Sequence, residues 1–316
     1  MAVPDRVLTN HDLEKMVDTS DQWIRERTGM FARRVSDDST AASDLAFQAS
    51  EKALAASNVS AEDLDAILVA TVSGDYSWPA TACILQKKLG AKNAMAFDLS
   101  AACSGFVYGL SIAQAYIQSG QYKNILLVGV DLLTKVVDWT DRNTCVLFGD
   151  GAGAVVIQPH EEKGVLCSEL GADGSAADML CVRCGGSRVP VTQEALDEKK
   201  QFLFMNGREI FRYAVRGMLQ SCNKVLERTQ KTIDDVSLII PHQANTRILE
   251  AVAQKLGLSL KERFYLNIEK YANTSAATIP IALHESLEEG RLKQGDLAIF
   301  VSFGGGLTWG ANLVQF

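Results

Sequence analysis

The sequence is missing several features that would place it in a specialised class of protein. No uninterrupted apolar run approaches the ~20 residues that a membrane-spanning helix needs. The first residues, MAVPDRVLTNHDLEK, lack the basic segment followed by an apolar one that marks a secretory signal. Basic residues do not outnumber acidic ones: the net charge is −7 and the pI about 5.2, which argues against a general nucleic-acid-binding protein. We therefore expect neither a membrane nor a nucleic acid among the partners of this chain.

Cysteine is sparse and proline is sparser. Seven cysteines, an odd number, are scattered through 316 residues, which indicates free thiols in a reducing compartment, the cytoplasm or a plastid stroma, and no disulfide framework. Cys181 and Cys184 form a CxxC without a second pair at zinc-ligand spacing, so no metal site is expected. With only six prolines, a long proline-rich linker is not expected. Because 47% of the residues are hydrophobic and 22% are charged, the composition is that of a globular protein.

The apolar pattern predicts an α/β fold in which strands alternate with helices. Strands are predicted at 66–71, 124–130, 153–158, 236–240, 297–303 and 312–316, and helices at 40–58, 79–90, 104–120, 209–229, 246–257 and 274–290. This alternation is typical of crossover units around a mainly parallel sheet.

The sequence also repeats itself. EDLDAILV and DDVSLIIP begin 172 positions apart (234 − 62), and QKKLG and AQKLG end 167 positions apart (257 − 90). At ~150 residues per domain, these echoes predict two similar halves, residues 1–160 and 161–316. Ligand sites in α/β sheets lie at the carboxyl ends of the strands, so the two halves are expected to form one site between them.

Cys103 is the first candidate for chemistry. It lies in FDLSAACSGF, where a strand-like AFDL leads through small residues to a helix that begins near Ser104. A thiol at a helix N-terminus faces unpaired N–H groups and the positive end of the dipole, and both are expected to lower its pKa and favour the thiolate. A buried, inert thiol is the alternative interpretation.

His242 and Asn273 are candidates from the other half. His242 follows VSLIIP and precedes a helical pattern, so its imidazole stands at a strand's carboxyl end as a general base or hydrogen-bond donor. Asn273 corresponds to Cys103 in the repeat (273 − 103 = 170), and each is predicted to open a helix after a short strand. Asn273 either caps its helix or offers its amide as an oxyanion donor.

Two glycine-rich segments differ in what they predict. FGGGLTWG, from Phe303 to Gly310, follows a strand, and its glycines would let backbone N–H groups approach a ligand. GDGAGA superficially resembles a dinucleotide fingerprint, but a strand-like VVIQ follows it instead of a helix, so that interpretation is rejected.

In this order and spacing, DLSAACSGF, PHQAN, NTSAA and FGGGLTWG resemble the β-ketoacyl-acyl carrier protein synthase III family of the thiolase superfamily. The resemblance runs from about Val7 to Phe316, and includes DTSDQWIRERTG and VDWTDRNTCVLFGDGAGAVV. It implies a thiolase-like fold, a duplicated α-β-α-β-α five-layer architecture, and a homodimer. The implied reaction condenses acetyl-CoA with malonyl-acyl carrier protein at the start of fatty-acid synthesis. Its products are acetoacetyl-acyl carrier protein, CoA and carbon dioxide, and it needs no metal or redox cofactor.

The resemblance also implies a role for each candidate. Cys103 would take the acetyl group, with the N–H groups of Cys103 and Gly305 as the oxyanion hole. His242 and Asn273 would hold the thioester oxygen of malonyl-acyl carrier protein. The remaining implied contacts are Trp23, Arg27, Arg142, Gly207, Phe211, Ala244 and Asn245 for CoA and its pantetheine; Trp78, Leu133 and Phe303 for the acyl pocket; and Arg212, Arg247 and Lys255 for the acidic carrier protein. Arg27 and Arg142 could instead be ordinary solvated charges.

Three departures from the family pattern are visible. An opening strand with GxGxYLP, expected at the centre of the first half, is absent ahead of AVP; we interpret this as a misassigned start or a shortened chain, and expect in-frame upstream DNA to encode that strand. Ala272 replaces a glycine, which costs ~1 kcal/mol if its φ is positive. Trp78 stands where a phenylalanine commonly reaches into the partner's acyl pocket, which predicts a preference for acetyl or propionyl primers.

Two alternatives remain from the sequence. One is another condensing enzyme of the superfamily, such as hydroxymethylglutaryl-CoA synthase or a polyketide or quinolone-type synthase. The other is a non-catalytic acyl-CoA-binding protein on the same fold. Comparing malonyl-acyl carrier protein with malonyl-CoA as extender distinguishes the first alternative from the fatty-acid enzyme. Acetylation of Cys103 by acetyl-CoA distinguishes an enzyme from the second alternative, a binding protein.

Overall fold

The structure is a computed structural model that describes all of residues 1–316. Its strands are β1 Val7–Thr9, β2 Ala32–Arg34, β3 Ala66–Ala70, β4 Met95–Leu99, β5 Ile125–Leu132, β6 Asp150–Ile157, β7 Gly164–Ala172, β8 Leu180–Val182, β9 Leu203–Met205, β10 Leu238–Pro241, β11 Leu297–Gly304 and β12 Thr308–Gln315. Its α-helices are α1 Asn10–Leu13, α2 Asp21–Thr28, α3 Ala42–Ser57, α4 Thr81–Leu89, α5 Gly105–Gln118, α6 Gln193–Asp197, α7 Gly207–Thr229, α8 Thr246–Leu256, α9 Leu260–Arg263, α10 Ile268–Tyr271 and α11 Thr278–Glu288. No helix is both long and apolar enough to cross a membrane.

Two four-stranded sheets form the framework. In the first, β3 pairs in parallel with β4 and β5, and β6 runs antiparallel along β5. In the second, β10 pairs in parallel with β11, β12 runs antiparallel along β11, and β7 runs antiparallel along β12. The predicted domain boundary at residue 160 falls in the loop between β6 and β7 and stays a prediction.

Helices cover both faces of each sheet. α5 and α11 lie between the sheets, where Phe106 and Ile279 pack with Leu68 of the first sheet and Phe300 of the second. α3 and α4 cover the outer face of the first sheet, and α7 and α8 cover that of the second. Each large apolar side chain buried in these cores contributes about 1.5–3 kcal/mol. The duplicated five-layer architecture that the sequence predicted is confirmed.

Several element boundaries differ from the sequence prediction. β12 begins at Thr308 instead of residue 312, because the chain leaves β11 through a tight hairpin in which Gly304 pairs with Thr308. β7 was not predicted, although its nine residues form one whole edge of the second sheet. Asn273 does not follow a strand: it comes after the short helix α10 and lies well before α11 begins at Thr278.

The two sheets differ at one edge. β7 covers the outer side of β12 in the second half, whereas in the first half only Ala2 pairs with β6, through an isolated bridge to Ala152. The repeat therefore puts the opening strand of a half at the edge of its sheet, and its expected central position is wrong. β3, β4 and β5 are paired with each other without it.

Candidate active site

Cys103 lies in a tight turn that the second half holds in place. A 3₁₀ turn over Ala102–Ser104 joins β4 to α5, and Ala102 has a left-handed φ of 46°. Ser302 Oγ donates to the Cys103 carbonyl at 2.7 Å, and Thr308 Oγ1 donates to the Ala101 carbonyl at 3.0 Å. The nucleophile candidate thus belongs to one half and its support to the other.

The Cys103 thiol is protonated in the resting site. It is buried, and burial raises the pKa of the Cys103 thiol to about 12, with a further upward contribution from the Asp131 carboxylate. Ser275 Oγ, which donates to Cys103 Sγ at 3.4 Å, opposes this shift and does not reverse it. Burial and the Asp131 charge therefore act against the lowered pKa that the helix N-terminus predicts.

His242 stands directly after β10, as predicted. Its backbone N–H donates to the Val301 carbonyl of β11 at 2.8 Å, which fixes the residue at the carboxyl end of the sheet. Burial lowers the pKa of His242 to about 3, so the imidazole is neutral near pH 7. A neutral ring carries one N–H donor and one acceptor nitrogen, and it can therefore either donate to an oxygen or take a proton.

Both backbone groups of Asn273 make hydrogen bonds to the first half of the chain. Its N–H donates to the Leu147 carbonyl at 2.9 Å, and its carbonyl accepts from Gly149 N at 3.0 Å. Its side-chain Oδ1 accepts from Ser275 N at 2.9 Å, which leaves the amide Nδ2–H group available. Asn273 therefore makes a local bond to the first residue of the 3₁₀ turn Ser275–Ala277, but it caps neither that turn, whose N-cap is Thr274, nor the helix α11, whose N-cap is Ala277.

The residue before Asn273 is in a glycine-like conformation. Ala272 has φ 55° and ψ −149°, a region that side-chain-bearing residues rarely occupy. The φ of Ala272 is therefore positive, which was the condition for a cost at this position. The alanine carries a conformational cost that the glycine usual in the family would not.

The glycine turn lies against the nucleophile. A Cβ on Gly304 would come within 2.7 Å of the Cys103 backbone nitrogen, so only glycine allows this approach. The N–H groups of Cys103 and Gly305 make no hydrogen bond to another backbone group. Both residues line one cavity, so their N–H groups remain candidates for the predicted oxyanion hole.

One cavity of about 390 Å³ connects these groups. Cys103, His242, Asn273 and Gly305 all line it, and most of the remaining lining is apolar. Leu133 and Phe303, two of the three predicted acyl-pocket residues, also line it, as does Ala244. Trp78 does not: its side chain is 84% exposed at the protein surface.

The predicted CoA contacts lie on α2, α7, α8 and the loop after β5. Asn245 Nδ2 donates to the Arg27 carbonyl at 3.0 Å, which ties the start of α8 to the end of α2. The Arg142 guanidinium carbon lies 4.7 Å from the centre of the Trp23 ring, and Arg142 also pairs with Asp18 at 3.4 Å. Arg142 thus stacks directly on Trp23, with no room for a purine between them.

The other predicted contacts are at the surface around α7 and α8. Gly207 is the first residue of α7 and is exposed, and Phe211, one turn later, is 36% exposed. Arg212 is exposed and pairs with Glu209 of its own helix at 3.3 Å. Arg247 and Lys255 are exposed on α8. These three cations are therefore exposed to solvent.

Sequence reasoning missed several residues of the site. Ser275, Gly304 and Cys181 all line the cavity. Asp131 lies behind it, fully buried, and accepts hydrogen bonds from Ser73 Oγ at 2.7 Å and Ala276 N at 3.3 Å. NTSAA and FGGGL contained two of these residues, but nothing in their spacing indicated contact with Cys103.

Comparison with known families identifies relatives over the whole chain. A family model described as 3-Oxoacyl-[acyl-carrier-protein (ACP)] synthase III matches residues 97–174. Its C-terminal counterpart matches residues 226–316. Together these two segments contain Cys103, His242, Asn273 and the glycine turn.

Curated proteins and solved structures agree with those matches. Beta-ketoacyl-[acyl-carrier-protein] synthase III 1 of Bacillus anthracis is 53% identical over 315 residues, which cover 99% of this chain and 96% of the relative. Beta-ketoacyl-[acyl-carrier-protein] synthase III of Caldanaerobacter subterraneus is 50% identical over 315 residues, which cover 99% of this chain and 95% of the relative. The crystal structure of 3-oxoacyl-[acyl-carrier-protein] synthase III from Aquifex aeolicus superposes with a TM-score of 0.92 at 47% identity, covering 100% of this chain and 97% of that one.

Proposed function

This chain belongs to the β-ketoacyl-acyl carrier protein synthase III family, and we propose how its own residues carry out the family's reaction. The protein is an acyltransferase that initiates fatty-acid synthesis by condensing acetyl-CoA with malonyl-acyl carrier protein. The products are acetoacetyl-acyl carrier protein, CoA and carbon dioxide. One observation carries the proposal: a single apolar cavity is lined by Cys103 from one half and by His242, Asn273 and Gly305 from the other.

In the first half-reaction, Cys103 Sγ attacks the acetyl thioester of acetyl-CoA. Because the thiol is protonated at rest, its proton has to leave as the carbon–sulfur bond forms. The neutral imidazole of His242 lines the same cavity and takes this proton, then returns it to the departing CoA sulfur. The free N–H groups of Cys103 and Gly305 stabilise the oxyanion of the tetrahedral intermediate.

In the second half-reaction, malonyl-acyl carrier protein loses carbon dioxide. The electron pair of the broken bond moves onto the thioester as an enolate, whose oxygen accepts from the His242 N–H and from Asn273 Nδ2–H. Preorganised donors of this kind contribute about 3 kcal/mol each to the transition state. The enolate carbon then attacks the acetyl group on Cys103, and the cysteine sulfur leaves as a thiolate that takes up one proton from solvent to restore the thiol.

An assay of both products tests this reaction. Purified enzyme with acetyl-CoA and malonyl-acyl carrier protein is expected to release carbon dioxide and acetoacetyl-acyl carrier protein in equal amounts. The same assay with malonyl-CoA as extender is expected to give little product. Efficient use of malonyl-CoA would instead support a polyketide-type condensing enzyme.

CoA enters past Trp23 and Arg142. Because Arg142 already stacks on Trp23, the adenine has to displace the guanidinium from the ring and then lie between the two groups. Without the Arg142 guanidinium, the bound adenine loses a cation–π and stacking partner worth about 1–2 kcal/mol. Arg142→Ala is therefore expected to raise KM for acetyl-CoA roughly tenfold, with kcat little changed. Arg228, which pairs with Glu169 at 3.2 Å at the opposite end of α7 from Gly207, supplies the control: Arg228→Ala is expected to leave KM unchanged.

The carrier protein is proposed to dock on the cationic rim of α7 and α8. Arg212, Arg247 and Lys255 are exposed there, and a local basic patch attracts an acidic partner even on an acidic protein. Arg247→Ala is expected to raise KM for malonyl-acyl carrier protein, with a weaker salt dependence, and to leave acetyl-CoA unaffected. Lys123, exposed just before β5 at the opposite end of the sheet, provides the control Lys123→Ala.

We also propose a homodimer through the free edge of β4. β4 is an edge strand of the first sheet, and an unpaired edge invites pairing with a second copy. Exposed apolar side chains lie on the nearby loop, where Trp78 is 84% and Tyr76 is 68% exposed. Trp78 would then reach the acyl pocket of the partner and shorten it. Sedimentation is expected to show a dimer, and acetyl-CoA to be used far faster than decanoyl-CoA; comparable turnover would refute the role of Trp78.

A further inference from the structure

Gln243, the residue after His242, is fully buried and makes two specific hydrogen bonds. Its Nε2 donates to the Tyr265 carbonyl at 3.1 Å, and its Oε1 accepts from Asn267 N at 2.9 Å. One amide side chain therefore bridges the end of β10 to the segment that leads into α10.

A second buried side chain holds the same helix from the opposite side. Glu285 of α11 accepts from Asn267 Nδ2 at 2.9 Å and from the Tyr271 hydroxyl at 2.8 Å, and Lys270 Nζ lies 3.3 Å from it. Burial alone raises the pKa of Glu285, but the bonds from Asn267 and Tyr271, together with the Lys270 ammonium, outweigh burial and lower it. The carboxylate is therefore charged near pH 7 and binds both ends of α10.

α10 ends directly before Asn273. Tyr271 is its last residue, and the strained Ala272 joins it to Asn273. A continuous path thus runs from His242 through Gln243 to Asn267, along α10, and out to Asn273. Every connection on this path is a covalent bond or a hydrogen bond, and the two side chains that begin it, Gln243 and Asn267, are buried.

We propose that Gln243 and Glu285 are positioning residues that set the spacing between the His242 imidazole and the Asn273 amide for malonyl decarboxylation. This rests on the proposed function, in which both donors meet one thioester oxygen. The His242 ring has no side-chain hydrogen-bond partner that orients it: Nδ1 has no partner, and the group that interacts with the ring is the backbone of Ser275. Its position depends on the main chain, and Gln243 is the side chain that anchors that main chain to α10.

The two half-reactions provide the test, because only the second needs the His242 and Asn273 donors to converge on one oxygen. Gln243→Leu keeps the size of the side chain and removes both hydrogen bonds. It is expected to lower kcat for decarboxylation and condensation about tenfold or more, as a displacement of under 1 Å does at an active site. Formation of acetyl-Cys103 from acetyl-CoA uses His242 without Asn273, so its rate is expected to fall clearly less than that of decarboxylation. KM for malonyl-acyl carrier protein is expected to change less than about twofold.

Glu285→Gln supplies a second, milder variant that keeps the shape and removes the charge. It is expected to slow decarboxylation in the same selective way, so the inference stays testable if Gln243→Leu does not fold. Gln86, whose Nε2 donates to the Ala94 carbonyl at 2.8 Å far from the cavity, gives the matched control Gln86→Leu, for which both half-reactions are expected to stay normal.

Non-additivity provides a readout that a merely structural role would not give. In an Asn273→Ala background, Gln243→Leu is expected to have little further effect on decarboxylation, because it acts through the group already removed. Two results would overturn the inference: full decarboxylation by both Gln243→Leu and Glu285→Gln, or an equal loss in both half-reactions. Normal decarboxylation by His242→Ala and Asn273→Ala would instead overturn the proposed function.

Discussion

Ser275 Oγ donates a hydrogen bond to Cys103 Sγ across 3.4 Å. The two residues are separated by 172 positions and belong to different halves of the repeat. Ser275 also has a left-handed φ of 51°, which turns its hydroxyl back toward the cavity. It is the side chain that contacts the sulfur directly and lowers the pKa of a thiol that burial otherwise raises.

Ser275→Ala is therefore expected to slow acetylation of Cys103. Loss of the hydrogen bond removes about 1 kcal/mol of support for the developing thiolate, which corresponds to roughly a five- to tenfold lower rate. Quenched mass spectrometry of single-turnover acetylation measures it. Ser221 is a buried serine of α7 whose hydroxyl has no partner, so Ser221→Ala is the control and is expected to acetylate at the normal rate. Equal rates in Ser275→Ala and wild type would show that the contact has no catalytic effect.

The pH dependence of alkylation tests the protonation state of Cys103. Because burial raises its pKa to about 12, and only the thiolate reacts with iodoacetamide, labelling of the Cys103 peptide is expected to increase with pH up to that range without a plateau near neutrality. Cys103→Ala identifies the peptide concerned. A plateau near pH 7 would instead restore the thiolate that the helix N-terminus suggests.

The pKa of His242 predicts how stability depends on pH. Its native pKa is about 3, against 6.5 in the unfolded chain, so the unfolded state takes up the proton first as the pH falls. Unfolding is then favoured, and stability associated with His242 is present above pH 6.5 and lost progressively between pH 6.5 and about 3. Urea unfolding of wild type and His242→Gln at several pH values measures this. The variant is expected to lose less stability over that window, and parallel curves would contradict it.

Ala272→Gly is expected to make the protein more stable. Ala272 has φ 55° and ψ −149°, and relief of this conformation exceeds the extra entropy that glycine gains on unfolding, for a net gain of about 1 kcal/mol. Denaturant titration measures it. Ala276, buried in the 3₁₀ turn after Asn273, gives the opposite control: Ala276→Gly is expected to destabilise. A less stable Ala272→Gly variant would show that the alanine carries no strain.

The sequence was sufficient to predict the fold and the groups that meet in the cavity. The alternation of strands and helices, with its repeat, predicted two similar α/β halves, and the resemblance to the synthase III family implied their five-layer arrangement. The carboxyl-end rule then placed Cys103 and His242 together, and both line the cavity with Asn273 and Gly305.

What the sequence could not supply depends on burial and on contacts between distant residues. The prediction of a thiolate at Cys103 rested on the helix dipole. It could not include desolvation, because the sequence does not show that the thiol is buried in a packed cavity. Ser275 and Gln243 sit inside motifs already noted, but their partners lie 172 and 24 positions away, and no local pattern encodes such pairs. The direct stacking of Arg142 on Trp23 likewise depends on how two loops meet.

Acylation of Cys103 is the most direct test of the proposed reaction. The enzyme is treated with acetyl-CoA alone, digested, and its cysteine peptides are analysed by tandem mass spectrometry. One acetyl group is expected on Cys103, none on the other six cysteines, and complete loss of the label when malonyl-acyl carrier protein is added. An unmodified Cys103, or an acetyl group that malonyl-acyl carrier protein does not remove, would contradict condensation through this residue.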